Sequence, residues 1–555
     1  MASRELQAST VERASQAFPT LTAAQMERLA PRGRLRAVSS GEVLWEAGAE
    51  LVPFIIVRAG EIEMTVQKAG QETIIARHGP GQFTGEINLL SGRRTLAGAR
   101  ITQPGEVIEV DRETLLSLVQ TDAELSEILM RAFIVRRVEL IAQGTGDVVL
   151  VGSMHSSDTL RLKEFLTRNG HPYAYVDLDR DADVQDLLDH FGVAIADIPV
   201  VICRGQSVLK NPSNEAVAEC LGFNAAIDAV HVRDLIIVGA GPAGLAAAVY
   251  GASEGLDVLV LESNAPGGQA ASSSKIENYL GFPTGISGQD LAGRAFTQAE
   301  KFGAQVMIAR GAHRLACARK PFMIEMENGQ RLPARSVIIA TGAEYRKLAV
   351  ANAARYEGNG IYYGATLMES QLCRGEDVII VGGANSAGQA AVFLAQSASR
   401  VYMLVRADTL AETMSRYLIR RIEESPAIVL KTSSEITGLD GTSHLEAVHV
   451  QDLKTGTTTV LPIRHVFVMT GAVPATGWLA NCLALDESGF IKTGPDLSAE
   501  ELAAWPLARA PHLLETNQPG VFAVGDVRSG NIKRVASAVG EGSIAVSFVH
   551  SVLHE

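Results

Sequence analysis

Two glycine-rich stretches carry residue types and spacings suited to holding dinucleotides. In DLIIVGAGPAGLAAAVYGASEGLDVLVLE, Gly239, Gly241 and Gly244 stand between an apolar strand and an Ala-rich helix, with Pro242 and Ala243 completing the candidate contact set. Glycines at this spacing permit a tight turn, close approach of a pyrophosphate and close helix packing, with the phosphates at the helix N-terminus. Glu262 ends the next strand, where a carboxylate can accept a hydrogen bond from a ribose 2′-hydroxyl. The second stretch, DVIIVGGANSAGQAAVFLAQSASRVYMLVR, repeats the arrangement with Gly382, Ala384 and Ala387 at the motif positions and Asn385 and Ser386 between them. Here Arg406 replaces the acid, and a guanidinium suits a 2′-phosphate through paired hydrogen bonds, which makes NADPH the expected nicotinamide cofactor. The plain alternative for Arg406 is a solvated charge at a strand end.

These motifs need large sheets around them, and the chain is long enough to supply them. At roughly 150 residues per domain, 555 residues suggest three to four domains. The content, 47% hydrophobic and 20% charged, is that of a folded globular protein. Lys+Arg number 49 against 62 Asp+Glu, and a net charge of −13 opposes attraction to nucleic acid or anionic lipid. No unbroken apolar window of about eighteen residues appears, and the start MASRELQAST lacks a signal peptide's pattern, so a cytoplasmic protein without a membrane partner is expected. The five cysteines (Cys203, Cys220, Cys317, Cys373, Cys482) include no Cys-x-x-Cys pair, which leaves disulfide scaffolds and paired-thiolate metal sites without support. Each reads as a small buried hydrophobe, Cys373 being the least settled, and no metal site is expected.

Three regimes follow one another. From about 40 to 110, short β-type runs alternate with Gly-containing turns, and a helical stretch follows to about 143; this predicts a small β-barrel or roll closed by helices. Residues 144–228 read as a compact α/β unit, including a helix over DVQDLLDHFG. From Leu235 two strand–glycine turn–helix halves appear.

The region 232–555 resembles the low-molecular-weight thioredoxin reductase family of flavoproteins. PGGQ (with Gly268 and Gln269), ENYLGFP (with Asn278), ATG (with Thr341 and Gly342) and GVFAVGD (with Gly525 and Asp526) stand where that family wraps FAD. The resemblance implies that Glu262 holds the adenosine ribose, that Gln269 and Asn278 lie beside the flavin, and that Asp526 bonds the ribityl chain or pyrophosphate. It also implies a nicotinamide domain inserted into the FAD domain, hinges near 346 and 474, and a homodimer. One departure matters most: in place of the family's Cys-Ala-Thr-Cys dithiol stands YYGATLMESQLCRG, with Gly364 and Leu367 at the cysteine positions. Neither has a sulfur, so the usual path out of the flavin is missing and no catalytic residue is assigned.

Residues 146–228 resemble a thioredoxin or glutaredoxin fold, with Ile198-Pro199 at its cis-proline position and His155-Ser156-Ser157-Asp158 in place of the Cys-x-x-Cys. Ser156 reads as a helix cap and the unit as a docking element. Residues 16–143 resemble a cyclic-nucleotide-binding domain, carried by GPGQFTGEINLLSGRRTLAGA. That resemblance implies a phosphate at Gly85, a ribose hydroxyl on Glu86 and a phosphate-neutralising arginine, for which Arg94 is the candidate; a barrel kept for packing is the alternative.

The expected fold class is multidomain α/β: an N-terminal β-barrel or roll with helices, a thioredoxin-like α/β unit, then two Rossmann-like dinucleotide-binding domains. The expected boundaries are 1–143 (cyclic-nucleotide-binding-like), 144–228 (thioredoxin-like), 229–346 with 474–555 (FAD) and 347–473 (NAD(P)H). The expected function is an FAD-dependent oxidoreductase that takes hydride from NADPH and passes electrons to an external acceptor, a small redox protein or a partner's disulfide, with nucleotide control from the N-terminal domain. The alternatives are a cyclic-nucleotide or redox sensor with a flavin reporter, and a thioredoxin-disulfide reductase acting without its own dithiol.

Overall fold

The computed structural model describes residues 16–555 except 69–70, 86–87, 92, 143–147, 154–155, 179–196, 204–206, 274, 318, 366, 443 and 480–481. The expected helix over DVQDLLDHFG and the candidate Glu86 lie outside the described residues.

The N-terminal roll begins with α1 (Ala23–Leu29) and holds β1 (Arg34–Val38), β2 (Val43–Trp45), β3 (Phe54–Lys68), β4 (Gln71–His78), α2 (Asn88–Ser91) and β5 (Gly98–Val110). Its antiparallel sheet runs β1-β5-β3-β4, with β2 on β5. The long strands β3 and β5 bend where Gly60 adopts φ +92° and the register shifts around Ala59; Gly105 faces Ala59 so closely that a Cβ would strike its carbonyl. Helices α3 (Arg112–Thr121) and α4 (Ala123–Ala142) close the roll, burying Leu115, Leu118 and Phe133 against Phe54 and Phe83. Asp111 starts α3 by accepting from the Thr114 N–H.

Next come β6 (Val148–Gly152), α5 (Ser157–Arg168), β7 (Ala174–Asp177), β8 (Val200–Cys203), β9 (Ser207–Lys210) and α6 (Asn214–Leu221). The sheet order is β7-β6-β8-β9, with β6 and β7 parallel and the others antiparallel. Ser156 caps α5 as expected, and the Ile198–Pro199 peptide is cis. The core of this unit continues into the following sheet through Phe223, Ile308 and Ala309.

The third body contains β10 (Arg233–Val238), α7 (Pro242–Ser253), β11 (Val258–Glu262), α8 (Gly268–Ala271), α9 (Gly288–Lys301), β12 (Gln305–Ile308), β13 (Ala312–Ala316), β14 (Phe322–Met326) and β15 (Arg331–Ile339). Chain that follows the insert adds α13 (Ala499–Ala503), β26 (Val521–Ala523) and α14 (Val535–Leu553), and the sheet runs β12-β11-β10-β15-β14-β13 with β26 on β15. The apolar run of β10 is explained by burial on both faces: Leu235 and Ile237 meet Ala247 of α7 and Ala545 of α14, while Ile236 and Val238 meet Leu332 and Ile324. Helix α14 is long and apolar enough to cross a membrane, yet Ala538, Gly542, Ala545 and Val549 are buried in this body.

Between these segments lies β16 (Ala343–Tyr345), β17 (Ile361–Tyr362), α10 (Leu367–Leu372), β18 (Asp377–Val381), α11 (Asn385–Leu394), β19 (Arg400–Leu404), α12 (Arg416–Glu424), β20 (Ile428–Lys431), β21 (Ser434–Asp440), β22 (Ala447–Asp452), β23 (Thr458–Leu461), β24 (His465–Val468) and β25 (Ala472–Pro474). In a parallel sheet β17-β24-β18-β19-β20, the run β20-β19-β18-β24 repeats the order β12-β11-β10-β15 of the larger one, and β21-β22-β23 covers one face. The two chain crossings pair with each other as the ribbon β16–β25, where the sequence suggested two separate hinges.

The cysteine reading needs correction. Cys317 and Cys482, 165 residues apart in sequence, form a disulfide with Cα atoms 6.2 Å apart, joining the end of β13 to the stretch after β25. Cys203 and Cys373 are buried, and the Cys373 thiol points to the Ser370 carbonyl, 3.8 Å away.

Candidate functional site

The first glycine turn leaves room where a phosphate would have to approach and none elsewhere. Gly239 has φ +105°, and a Cβ there or on Gly244 would collide with backbone, of Ala340 and Gly239 respectively. Gly241 differs: it is the N-cap of α7 in extended conformation, no side chain caps the helix, and a Cβ would find no protein atom nearer than Gly268 Cα at 3.9 Å. Pro242 and Ala243 open the helix, so its first N–H groups face this open volume.

Glu262, 8% exposed, accepts from the N–H groups of Ala240 (2.8 Å) and Asn264 (2.9 Å), and burial pushes its carboxyl up against those bonds. The loop after it is braced from the middle unit. Arg168 at the end of α5 donates through Nη2 to the carbonyls of Gly268 (2.9 Å) and Ala265 (3.4 Å), and Asn214 donates to Asn264 (3.0 Å). Neither contact carried a sequence signal, because each joins separate bodies. Gly268 lies against Gly241, and a Cβ on Gly267 would collide with Ala292 of α9.

Gln269 donates to the Ala343 carbonyl in the ribbon. Thr341 donates to the Ala475 carbonyl (2.9 Å) and the Gly342 carbonyl accepts from Ala475 N–H (3.1 Å), so the ATG residues pin the second crossing. Gly525 packs on Ala243 and its N–H is held by Glu541 (2.7 Å). Asp526 beside it is half-buried, its carboxylate has no hydrogen-bond partner among the described residues, and burial pushes its carboxyl up. Asn278 is exposed.

In the second turn Gly382 approaches the Met469 carbonyl too closely for a side chain, Ala384 caps α11 without a side-chain bond, and Ala387 is fully buried beneath. Asn385 accepts from Ser415 N–H (2.8 Å), while the buried Ser415 Oγ has no partner. Arg406 is exposed and enters no ion pair among the described residues. A cleft of about 410 Å³, partly open to solvent, lies between the two bodies, with Ser272 and Lys275 on one wall and Gly364, Ser386 and Gln389 on the other. Arg421 of α12 reaches across to Glu277 (2.6 Å), and that pairing holds the Glu277 carboxyl below the usual range. A side chain on Gly364 would meet nothing within 4 Å, and Leu367 opens α10.

The roll holds a second pocket of about 780 Å³, partly open to solvent and mainly apolar, lined by Trp45, Met64 and Leu89 and also by Gly85, Arg93 and Arg136. Arg136 donates to the carbonyls of Ala17 (2.8 Å), Phe83 (3.1 Å) and Gly85 (2.7 Å). Arg94, the sequence candidate, is not on the cavity wall: it pairs with Glu50 at 2.6 Å, and the arginine that reaches the wall is Arg93. Chain alignment alone could not choose between adjacent arginines of which one lines the cavity and the other pairs with Glu50.

Residues 233–542 match the pyridine nucleotide-disulphide oxidoreductase family, and residues 35–122 match the cyclic nucleotide-binding domain family. A thioredoxin reductase of Listeria monocytogenes is 33% identical over 315 residues, 57% of this chain and 92% of its own length. One from Treponema pallidum is 34% identical over 313 residues, covering 56% and 94%. Among solved structures, the T. acidophilum thioredoxin reductase is similar with a TM-score of 0.52 at 29% identity, covering 58% of this chain and 99% of that one. The Lactococcus lactis thioredoxin reductase in its FR conformation also gives 0.52, at 27% identity, covering 58% and 100%.

Proposed function

Because the chain belongs to the pyridine nucleotide-disulphide oxidoreductase family, whose thioredoxin reductases use FAD and NADPH, we propose that it is an NADPH-dependent flavoprotein that passes electrons to an acceptor outside the chain. The observation that carries the second half is the sequence from Gly364 to Leu367, which holds no sulfur where relatives of this kind keep a dithiol, with Gly364 and Ala365 on the cleft wall. Residues 229–346 and 474–555 form the FAD-binding part, 347–473 the nicotinamide-binding part, 1–143 the nucleotide-binding roll and 144–228 a degenerate thioredoxin-like unit. The strand order β7-β6-β8-β9 supports the last assignment.

When bound, NADPH supplies a hydride and FAD accepts it and releases electrons singly or in pairs. This chain's residues supply placement. The open face of Gly241 and the first N–H groups of α7 would receive the pyrophosphate of FAD, Glu262 the adenosine ribose, and Asp526 a hydroxyl of the ribityl chain, which would give that half-buried carboxylate a donor it lacks among the described residues. Ala384 to Ala387 would receive the second dinucleotide, and Arg406 and the Ser415 hydroxyl, which has no partner among the described residues, are the groups assigned to a 2′-phosphate. The Arg421–Glu277 pair and the β16–β25 ribbon fix the orientation of the two parts and must yield when it changes. The acceptor is a small redox protein or a partner's disulfide that reaches the cleft beside Gly364. Anaerobic mixing with NADPH tests the reading: rapid bleaching of bound flavin is expected, and a chain that binds FAD yet stays yellow would sink it.

Two substitutions follow from the cradle. Arg168→Ala should lower FAD affinity about tenfold, roughly 1.4 kcal/mol, because the 265–268 loop loses its brace; flavin-to-protein ratio after dialysis measures it, and Arg168→Lys should recover part. Asp526→Asn should weaken FAD while raising the melting temperature of the FAD-free protein by about 2 °C. The sign follows from the raised folded-state pKa: the penalty is absent below the ordinary carboxyl range, grows as pH rises through it, and persists at neutral pH. The stabilisation by Asn should therefore vanish toward pH 4, which a pH series of melting curves reads directly.

A further inference from the structure

Arg93 stands between the N-terminal cavity and α9. Its side chain is 7% exposed, and Nη2 lies 3.5 Å from Oε1 of Glu300, itself 5% exposed, without forming a hydrogen bond. The guanidinium lies over the rings of Phe296 (4.9 Å) and Phe223 (5.7 Å), so three bodies meet on this one side chain. A buried charge pair that lacks a directed bond recovers little of its desolvation cost, and an anion that offers short charge-assisted bonds is a better partner. The neighbouring cations are engaged differently: Arg94 with Glu50 outside the cavity, Arg136 with three backbone carbonyls. Among the described residues one more polar atom on the cavity wall lacks a partner, Nδ1 of the 2% exposed His78.

Helix α9 gives this contact a route to the cofactor cradle. It has 14 residues, about 21 Å at 1.5 Å per residue. Glu300 sits near its C-terminus against the roll. Near its N-terminus, Gly288 presses on the Ala270 carbonyl and Ala292 on Gly267, the loop that lies against Gly241. A helix is stiff along its axis, so displacement at Glu300 is felt at the 267–270 loop.

We propose that Arg93 receives the anionic group of the ligand of the N-terminal cavity, and does so by leaving Glu300, so that occupancy of the cavity releases α9 and shifts the FAD loop. This rests on the reading of the cavity as a nucleotide site. Without Arg93, Glu300 loses one of the cations that face it, Arg112 being another, and the interface between roll and α9 weakens. By linkage, whatever the Arg93–Glu300 pair subtracts from ligand affinity, the ligand subtracts from the seating of α9.

The test is calorimetric titration of the FAD-bound full chain with cyclic AMP, with flavin fluorescence followed in parallel. Glu300→Gln should tighten binding about tenfold, Arg93→Ala should weaken it at least tenfold, and Arg93→Lys should fall between. Cyclic AMP should change flavin fluorescence in the unaltered chain and leave it unchanged in Glu300→Gln. Flavin content checks folding, with Glu300→Ala as the second variant. Binding indifferent to both positions overturns the proposal while the nucleotide reading stands. Failure of cyclic AMP and of inorganic phosphate to bind any of these chains removes that reading and the proposal with it.

Discussion

A Gly241→Val chain is expected to fold normally and to purify without flavin. The backbone there has φ −70° and ψ −177°, a conformation that suits a β-branched residue, and the new Cβ would point into open volume with its nearest neighbour 3.9 Å away. No protein atom nearer than 3.9 Å opposes that Cβ, whereas a bound pyrophosphate would. FAD affinity should fall at least 100-fold, about 2.8 kcal/mol, with the melting temperature of the FAD-free protein unchanged. Gly244→Val supplies the contrast. Its Cβ would collide with the Gly239 carbonyl in a buried turn, so overpacking should cost the fold itself about 3 kcal/mol. Retention of flavin by Gly241→Val would mean that the cradle lies elsewhere.

The double substitution Gly364→Cys with Leu367→Cys should turn an enzyme with background disulfide reductase activity into one at least 100-fold faster. A Cβ on Gly364 meets nothing within 4 Å, and the residue lines the cleft opposite Ser272 and Lys275. Two thiols are needed, because a thiolate that attacks a disulfide leaves a mixed disulfide which a second thiol must resolve. Gly364→Cys alone should therefore accept electrons once and stall. Steady-state reduction of a dithiol-specific chromogenic disulfide with NADPH separates the cases. Rapid turnover by the unaltered chain would show that another route out of the flavin exists, with Cys317–Cys482 the first pair to examine.

The dinucleotide turns were legible residue by residue because their constraint is local. A strand that must turn sharply into a helix needs glycine within six positions, and the structure finds Gly239 and Gly244 where no Cβ fits. The apolar runs of β10 and β18 likewise announced strands buried on both faces. The Thr341–Gly342 and Gly525–Asp526 stretches were legible only through resemblance, since their partners Ala475 and Glu541 lie far along the chain. Asn278 stands exposed, because nothing in its own stretch sets which way the 276–286 segment folds over.

By itself the sequence determined the two nucleotide-binding halves, the acid-for-arginine exchange between them and the missing sulfurs at Gly364 and Leu367, all set by residues adjacent in the chain. Only the tertiary structure decided that Cys317 meets Cys482, that Arg168 braces a loop 100 residues away, and that Arg93 rather than Arg94 faces the cavity. Those pairings depend on how separate bodies pack, and packing is a property of surfaces that no short stretch of chain contains.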